Sequence, residues 1–356
     1  MSQLAAIFGF KGPRLEARER DFFRDARPWG FILFDRNVED PDQLRRLTAE
    51  LRDAAGRDAP ILIDQEGGRV QRLRPPHWPQ WQPVLRLFDA DDQAGAEEAL
   101  TLRTRIIAAH LHGVGIDVNT MPLLDVPAAG ADEIIGDRAL GWTPEEIGRR
   151  GRLVCETLKA GGVLPVVKHI PGHGRAPQDS HKVLPQVTTP LVALDRVDFA
   201  AFRAVADQEI GMTAHVLYAA LDPDRAATES PVVIDLIRKL IGFDGLLMGD
   251  DISMEALTGS FEKRVRDGIH AGCDLVLHCN GDRSEMMAVA DSCPRLSGKA
   301  LERARRAEKA RRAPDDFDMA EAVRRYEKLT GHALGDVQDV GPDPTRAGVA
   351  ASAAGA

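Results

Sequence analysis

The sequence predicts an α/β protein that folds as a (β/α)8 TIM barrel in a single domain. Short apolar runs rich in β-branched residues recur along the chain, and longer segments with helical periodicity lie between them. Strands that alternate with helices pair in parallel through right-handed crossovers, and eight such units favour a closed barrel. An open doubly wound sheet is the alternative, because periodicity alone does not show closure.

The elements follow from these runs in chain order. Eight short apolar segments are predicted as strands: Ala5–Phe10, Gly30–Phe34, Ile61–Asp64, Ile116–Asn119, Val163–Lys168, Gly211–Ala214, Gly245–Met248 and Leu275–Leu277. Six amphipathic segments between them are predicted as helices: Pro41–Arg57, Glu97–His112, Pro144–Ala160, Ala193–Gln208, Pro231–Ile241 and Phe261–Ala271. The charged sequence after the last strand predicts two terminal helices on the outside of the barrel, Lys299–Arg312 and Ala320–Leu329.

The chain shows no internal repeat and no clear linker within residues 1–330. We therefore expect one barrel domain with its C-terminal helices over residues 1–334. Residues 335–356 are rich in Gly, Ala, Pro and Asp, and we expect this tail to be poorly ordered. A length of 356 residues, 44% of them hydrophobic, is ample for one such domain.

Composition excludes several classes of function. The net charge of −9 lacks the basic footprint of a nucleic-acid-binding protein, and nothing marks the chain for an anionic membrane surface. No apolar stretch is long enough to span a bilayer. The first apolar run, Leu4 to Phe10, has no basic segment before it and is interpreted as a strand, not a signal peptide. The four cysteines form no CxxC pair, so we expect buried free thiols in a soluble cytoplasmic protein.

Polar residues cluster where the predicted strands end. In a barrel these ends lie on one face, the face that carries active sites. Six strand ends share the pattern: Asp35-Arg36-Asn37, Asp64 through Arg72, Lys168-His169, His215, Asp250-Asp251 and His278-Cys279-Asn280. Repetition at six ends is hard to explain by solvation alone.

The stretch from Asp64 to Arg72 joins a carboxylate at a strand end to two glycines and two arginines, a composition suited to a hydroxyl-rich ligand. We interpret Asp64 and Arg72 as ligand contacts. For Glu66 and Arg69 a structural ion pair within a tight turn is as good an explanation.

The loop after the fifth strand carries three histidines and an aspartate. Pro171, Gly172 and Gly174 exclude a regular element there. His169, His173, His181 and Asp179 indicate proton chemistry or metal binding, since an aspartate beside a histidine can raise its basicity and fix its tautomer.

The seventh strand ends in two carboxylates, and adjacent residues on an extended chain point to opposite sides. Asp250 is interpreted as facing the barrel mouth, as a candidate nucleophile or metal ligand. Asp251 is expected to anchor the loop by hydrogen bonding.

At these motifs the chain resembles glycoside hydrolase family 3, and within it the bacterial β-N-acetylglucosaminidases of the NagZ type. The resemblance covers nearly all of residues 1–330, and its motifs are specific in combination. They are Phe34-Asp35-Arg36-Asn37, Asp64-Gln65-Glu66-Gly67-Gly68-Arg69-Val70-Gln71-Arg72, Lys168-His169-Ile170-Pro171-Gly172-His173-Gly174, Asp179-Ser180-His181, Met212-Thr213-Ala214-His215-Val216 and Asp250-Asp251-Ile252-Ser253-Met254.

This resemblance implies a retaining β-N-acetylhexosaminidase that removes terminal N-acetylglucosamine. It implies that Asp250 is the nucleophile of a covalent glycosyl-enzyme and that His181, paired with Asp179, is the general acid/base. Five residues match the substrate-binding positions of the family: Asp64, Arg72, Arg138, Lys168 and His169. No metal and no cofactor is implied. The Gram-negative cytoplasmic members act on anhydro-muropeptides in peptidoglycan recycling, so we expect a carbohydrate or muropeptide substrate and a monomer.

Three alternatives stay open. A metal-dependent hydrolase barrel could use the histidines with Asp179 and Asp250 as ligands, although Pro171 and Gly172 break any helix that would align His169 with His173. A sugar-binding protein without activity is the second. The third is a phosphorylase, because a histidine acid/base does not repel phosphate. We also expect the loop that carries His181 to move during catalysis.

Overall fold

Strands and helices alternate along the part of the chain that the computed structural model describes, residues 2–89, 91–337 and 339–346. The strands are β1 Leu4–Phe8, β2 Pro28–Leu33, β3 Ile61–Ile63, β4 Val118–Asn119, β5 Leu164–Pro165, β6 Val167–Ile170, β7 Gln186–Val187, β8 Ile210–Thr213, β9 Leu217–Tyr218, β10 Leu246–Asp251 and β11 Leu275–His278. The helices are α1 Ala17–Ala26, α2 Pro41–Ala55, α3 Gln93–Gly113, α4 Pro144–Ala160, α5 Leu191–Arg196, α6 Asp198–Arg203, α7 Pro231–Leu236, α8 Phe261–Ala271, α9 Arg283–Ser292, α10 Gly298–Ala310 and α11 Met319–Thr330.

The main sheet is parallel throughout and runs β5-β4-β3-β2-β1-β11-β10-β8-β6. Its two ends, β5 and β6, are halves of one chain segment that breaks at Val166, whose N–H is donated to Asn119 and Met121. The sheet therefore closes on itself with eight strand positions. The predicted single-domain (β/α)8 barrel is confirmed.

The strands are buried on both faces, as a parallel sheet covered by helices requires. Every residue of β1 and of β2 is buried. Strands of this kind have continuous apolar sequences. Their bounds could therefore be predicted from the sequence to within a few residues.

Helix boundaries follow local capping chemistry. Asp40 precedes Pro41 and accepts hydrogen bonds from the first-turn N–H groups of α2, and Thr143 with Glu146 forms a capping box at α4. The bounds of α4 and α8 agree with the prediction.

Other elements depart from the predicted pattern. The single helix expected over 193–208 is two short helices, α5 and α6, and the helix that begins at Pro231 ends in a π-helical turn at Ile237–Ile241. Helices α1 and α9 were not predicted. Strands β7 and β9 form a small parallel sheet outside the barrel, which pairs Gln186 with Leu217 and Val187 with Tyr218.

The terminal helices α10 and α11 lie on the outside of the barrel, as predicted. The C-cap residue of α10, Arg311, makes a salt bridge to Asp117 with its Nη1 2.7 Å away and donates to the carbonyl of Asp58. Asp117 also pairs with Arg52 and accepts the N–H of Ile61 at the start of β3. This network ties the C-terminal helices to the amino-terminal end of the barrel.

The four cysteines are buried and free, as expected. None of the helices in the described ranges combines the length and apolar character that crossing a bilayer needs.

Part of the segment predicted to be a poorly ordered tail lies against the barrel. Gly341 lies beside Arg69, and Asp343 and Thr345 contact Arg72. Residue 338 and residues 347–356 of that tail fall outside the described residues. The prediction of poor order stays a prediction.

Candidate active site

A cavity opens at the carboxyl end of the barrel strands, where the polar strand ends were predicted to meet. It is lined by seven of the eight candidate residues named from the sequence: Asp64, Arg72, Arg138, Lys168, His169, His181 and Asp250. The eighth, Asp179, hydrogen-bonds to the lining residue His181. Apolar side chains complete the lining, among them Phe34, Ile135, Met212, Met254 and Leu277.

Asp64, which follows β3, is held by three donors. Its Oδ2 lies 2.9 Å from Arg72 Nη2 and its Oδ1 lies 3.1 Å from Lys168 Nζ, while Thr120 donates its hydroxyl to the same Oδ1. Burial disfavours the charged form, but the cations Lys168 and Arg72 outweigh it and hold the pKa of Asp64 well below its ordinary value. Asp64 is therefore an ionised acceptor fixed in the cavity wall.

Glu66 forms a second buried ion pair next to Asp64. Its two carboxylate oxygens each lie 2.9 Å from the guanidinium of Arg138, through Nε and Nη2, and Lys168 Nζ lies 2.7 Å from Oε1. A fork of this kind fixes both partners in one plane. Lys168 thus bridges two carboxylates, and its own pKa is raised because their charges outweigh the effect of burial.

Asp125 organises two of the histidines from behind. Its Oδ2 lies 2.8 Å from Nδ1 of His169, and its Oδ1 accepts the backbone N–H groups of His169 and His173. The pairing leaves Nε2 of His169 free to face Asp250, whose Oδ2 is 4.0 Å away. Burial lowers the pKa of His173 to about 4, so this imidazole is neutral at physiological pH, with Nε2 2.9 Å from Ser180 Oγ.

His181 and Asp179, the pair singled out in the sequence, are hydrogen-bonded to each other. Nδ1 of His181 lies 2.8 Å from Oδ1 of Asp179, which also accepts the backbone N–H of His181 at 2.9 Å. Burial opposes ionisation of Asp179, but these hydrogen bonds prevail and lower its pKa to about 2. The carboxylate fixes the ring so that Nε2 is the nitrogen available to the cavity.

Asp250 and Asp251 at the end of β10 have separate surroundings. Asp250 lines the cavity, and nearby imidazoles, His169 first, outweigh burial and lower its pKa. The expectation that Asp251 anchors its loop is confirmed, because Oδ1 of Asp251 accepts N–H groups from Ser253 and Cys279. His215 reaches the carbonyl of Asp251 with Nε2 at 3.1 Å, which holds this strand end in place.

Arg72 contacts groups that the sequence did not bring together. Its Nη1 makes a salt bridge to Asp343, and its Nη2 donates to Thr345 Oγ1 at 2.8 Å. The guanidinium also lies over the ring of Phe34, 5.3 Å from the ring centroid. The side chains of Arg72 and Asp343 are 2% and 3% exposed, so their pair is buried.

Sequence reasoning missed Asp125, Asp343 and Thr345, and left Glu66 between function and structure. Asp125 lies six residues beyond β4, too far from the strand end to share its polar signal. The composition of the tail suggested disorder, so Asp343 and Thr345 were not considered as site residues. Within the described parts of the chain, no group of three or more His, Cys, Asp or Glu side chains has the spacing of a metal site.

This arrangement suits acid–base and nucleophilic chemistry on a hydroxyl-rich molecule. An ionised carboxylate and an imidazole paired to its own carboxylate open into one cavity, and charged side chains that can bind hydroxyl groups line another part of it.

Comparison with known proteins agrees with this interpretation. The family model described as "Glycosyl hydrolase family 3 N terminal domain" matches residues 1–312. A protein of Methylococcus capsulatus named beta-hexosaminidase is 37% identical over 279 residues, which are 77% of this chain and 82% of that protein.

Two solved structures share the fold. NagZ from Neisseria gonorrhoeae superposes with a TM-score of 0.81 at 29% identity, over 94% of this chain and 98% of that one. The same enzyme in complex with N-trifluoroacetyl-D-glucosamine superposes with a TM-score of 0.82 at 28% identity, over 94% and 99%.

Proposed function

Because this chain belongs to glycosyl hydrolase family 3 and is a β-hexosaminidase, we propose that it removes terminal β-linked N-acetylglucosamine with retention of configuration. The observation that carries the proposal is that Asp250 and the His181–Asp179 dyad open into one cavity lined by Asp64 and Lys168. The N-trifluoroacetyl-D-glucosamine bound by the Neisseria gonorrhoeae enzyme supports an N-acetylated glucosamine as the sugar.

Asp250 is the proposed nucleophile. Its carboxylate attacks the anomeric carbon, the bond to the leaving oxygen breaks, and a covalent glycosyl-enzyme forms. The lowered pKa of Asp250 keeps it ionised at neutral pH, as a nucleophile must be. Its 4.0 Å separation from His169 Nε2 supports a role for that imidazole in orienting the carboxylate.

His181 is the proposed general acid/base. Its Nε2 gives a proton to the leaving oxygen in the first step and takes a proton from water in the second. Asp179 holds Nδ1 and stabilises the imidazolium form between the two transfers. An imidazole here avoids the repulsion that a second carboxylate beside Asp250 would create.

The remaining wall of the cavity is the proposed sugar site. Asp64 and His169 offer acceptor and donor atoms to ring hydroxyls, and the cations Arg72, Arg138 and Lys168 hold the acceptors in place. We infer that these five side chains bind the terminal sugar and position C1 at Asp250.

Hydrolysis of an aryl N-acetyl-β-glucosaminide by the purified chain tests the proposal. Asp250→Asn should reduce kcat by at least about a thousandfold, because it removes the nucleophile, whereas Asp235→Asn on the exposed face of α7 should change little. His181→Ala should accumulate an enzyme that carries one N-acetylglucosaminyl unit, visible by mass spectrometry, and added azide should release the β-glycosyl azide.

Several results would oppose this assignment. Near wild-type turnover by Asp250→Asn, or an α-glycosyl azide from His181→Ala, would refute the nucleophile or the retaining mechanism. N-acetylglucosamine 1-phosphate as the main product in phosphate buffer would indicate the phosphorylase. Loss of activity on chelation, with return on adding zinc, would indicate the metal-dependent hydrolase.

We further propose that the natural substrate is an anhydro-muropeptide of peptidoglycan recycling and that the enzyme works in the cytoplasm as a monomer. The resemblance of its motifs to the bacterial recycling enzymes supports this. Release of N-acetylglucosamine from purified anhydro-muropeptides, compared with release from chitobiose at equal concentration, is the test. A preference for chitobiose would contradict it.

A further inference from the structure

The C-terminal strap, residues 339–346, lies at the mouth of the barrel beside Arg72. Within it, Asp343 Oδ1 accepts the backbone N–H of Thr345 at 2.9 Å and its hydroxyl at 2.7 Å. The other carboxylate oxygen of Asp343 pairs with Arg72 Nη1, and Thr345 Oγ1 accepts from Arg72 Nη2. Arg72, Asp343 and Thr345 therefore form a closed set of hydrogen bonds.

The charges around Arg72 favour a strap that stays bound at the site. Without the strap, three cations at this wall, Arg72, Arg138 and Lys168, face two carboxylates, Asp64 and Glu66. Asp343 supplies the third carboxylate. Release of the strap would take from the buried guanidinium of Arg72 one of the two carboxylates with which it pairs, which is unfavourable for a buried charge.

The cavity coexists with the strap. Thr345 is one of its lining residues, together with Asp250, Asp251 and His181. The strap therefore borders the space for the substrate and leaves the reacting groups accessible.

The strand order shows which end of the sugar the strap meets. Asp64 follows β3 and Asp250 lies near the end of β10, and these strands are four positions apart in a barrel of eight, on opposite sides. In a pyranose ring C1 and C4 are also opposite each other. With C1 at Asp250, the C4 end lies toward Asp64, Arg72 and the strap.

We propose that Asp343 and Thr345 are substrate-positioning residues that fix the guanidinium of Arg72, and that Thr345 and Arg72 form the wall of the pocket that receives the C4 end of the terminal sugar. This inference rests on the proposed function, because it needs C1 at Asp250. By this inference the strap helps to select terminal sugars, because a wall at C4 leaves no room for a further sugar linked at that position.

Steady-state kinetics on the aryl N-acetyl-β-glucosaminide separates this role from a general structural one. Asp343→Asn should raise KM about tenfold and leave kcat within about threefold, because it loosens a charge-assisted contact far from the reacting atoms. Asp343→Glu should recover part of the loss. Thr345→Val should raise KM by less, and Asp339→Asn, an exposed strap residue that does not contact Arg72, is the matched control.

A 4-deoxy substrate gives the decisive comparison. If the strap positions the C4 end through Arg72, the effect of Asp343→Asn on KM should shrink on the substrate that lacks the 4-hydroxyl. An equal effect on both substrates, an unchanged KM, or a lower KM that marks the strap as a competitor of substrate would each overturn the proposal.

Binding measured without turnover keeps the two proposals apart. Calorimetric titration with N-acetylglucosamine should show weaker binding by Asp343→Asn and unchanged binding by Asp339→Asn. Failure of the unaltered enzyme to hydrolyse the aryl substrate would count against the proposed function, whereas equal affinities of wild type and Asp343→Asn would count against the strap alone.

Discussion

Each histidine of the cavity is oriented by an oxygen group behind it. Asp125 holds His169, Asp179 holds His181, and Ser180 lies against His173. These partners decide which ring nitrogen faces the substrate, so the acid–base behaviour of the site depends in part on Asp125 and Asp179, which do not themselves line the cavity.

Asp125 does not line the cavity, but its substitution should still lower the catalytic rate. Asp125→Asn removes the charge that pairs with His169 Nδ1 and weakens the hold on both histidine backbones, so kcat/KM should fall at least about tenfold. Steady-state kinetics with the aryl substrate measures this, and the exposed Asp53→Asn serves as the control. A decrease smaller than about twofold would show that His169 needs no fixed partner.

The loop over residues 171–185 is fastened to the barrel at several points. Tyr218 donates its hydroxyl to the carbonyl of Gly172 at 2.6 Å, and Arg175 Nε lies 2.6 Å from the buried Asp198. At Gly174 a Cβ would lie 2.0 Å from the carbonyl oxygen of Val126. The segment before His181 is thus packed closely against the backbone.

Gly174→Ala should disturb catalysis without unfolding the barrel. The added methyl group must push the loop away from Val126 and displace the dyad that follows it, so kcat should fall at least about tenfold, which corresponds to about 1.4 kcal/mol of activation free energy. The overpacking should also lower the free energy of unfolding by about 1–3 kcal/mol. Kinetics and the melting temperature together measure this. Gly113→Ala has open space around its added methyl group and is the control. Unchanged kcat would show that the loop adapts freely.

Sequence pattern predicted the elements that rest on local chemistry and missed those that rest on tertiary contacts. Helix α4 has its cap at Thr143 and its apolar face in the sequence, so its bounds were predictable. Strands β7 and β9 are two residues long and form only because they lie beside each other. The site divides in the same way: Asp250 and Lys168 belong to the strands β10 and β6, whereas Asp343 pairs with Arg72, which lies 271 residues earlier in the chain.

At the scale of the whole molecule, the barrel separates activity from stability. The cavity lies at the carboxyl ends of the strands, and the network of Arg52, Asp117 and Arg311 lies at the opposite end, where it joins the C-terminal helices to the start of β3. A change at one end should leave the other largely intact.

Arg311→Ala tests that separation. It removes a partly buried ion pair and a hydrogen bond to the carbonyl of Asp58, so the free energy of unfolding should fall by about 1–2 kcal/mol, while kcat/KM stays within about twofold. Urea denaturation and kinetics on one preparation give both values. Arg306→Ala, whose side chain is half exposed, should affect stability less. A large loss of activity from Arg311→Ala would contradict the separation.

The reactivity of the buried thiols can report where and how fast the native enzyme opens locally. Burial raises the pKa of Cys273 and Cys293 to about 12, and Cys155 lies in α4 with its thiol pKa also raised. Cys279 lies at the cavity itself. A thiol reagent at neutral pH can therefore react with Cys155, Cys273 and Cys293 only when the surrounding region opens, whereas it can reach Cys279 through the cavity. Peptide mapping of the labelled protein over time would give the opening rates of three places around one barrel, without any introduced probe.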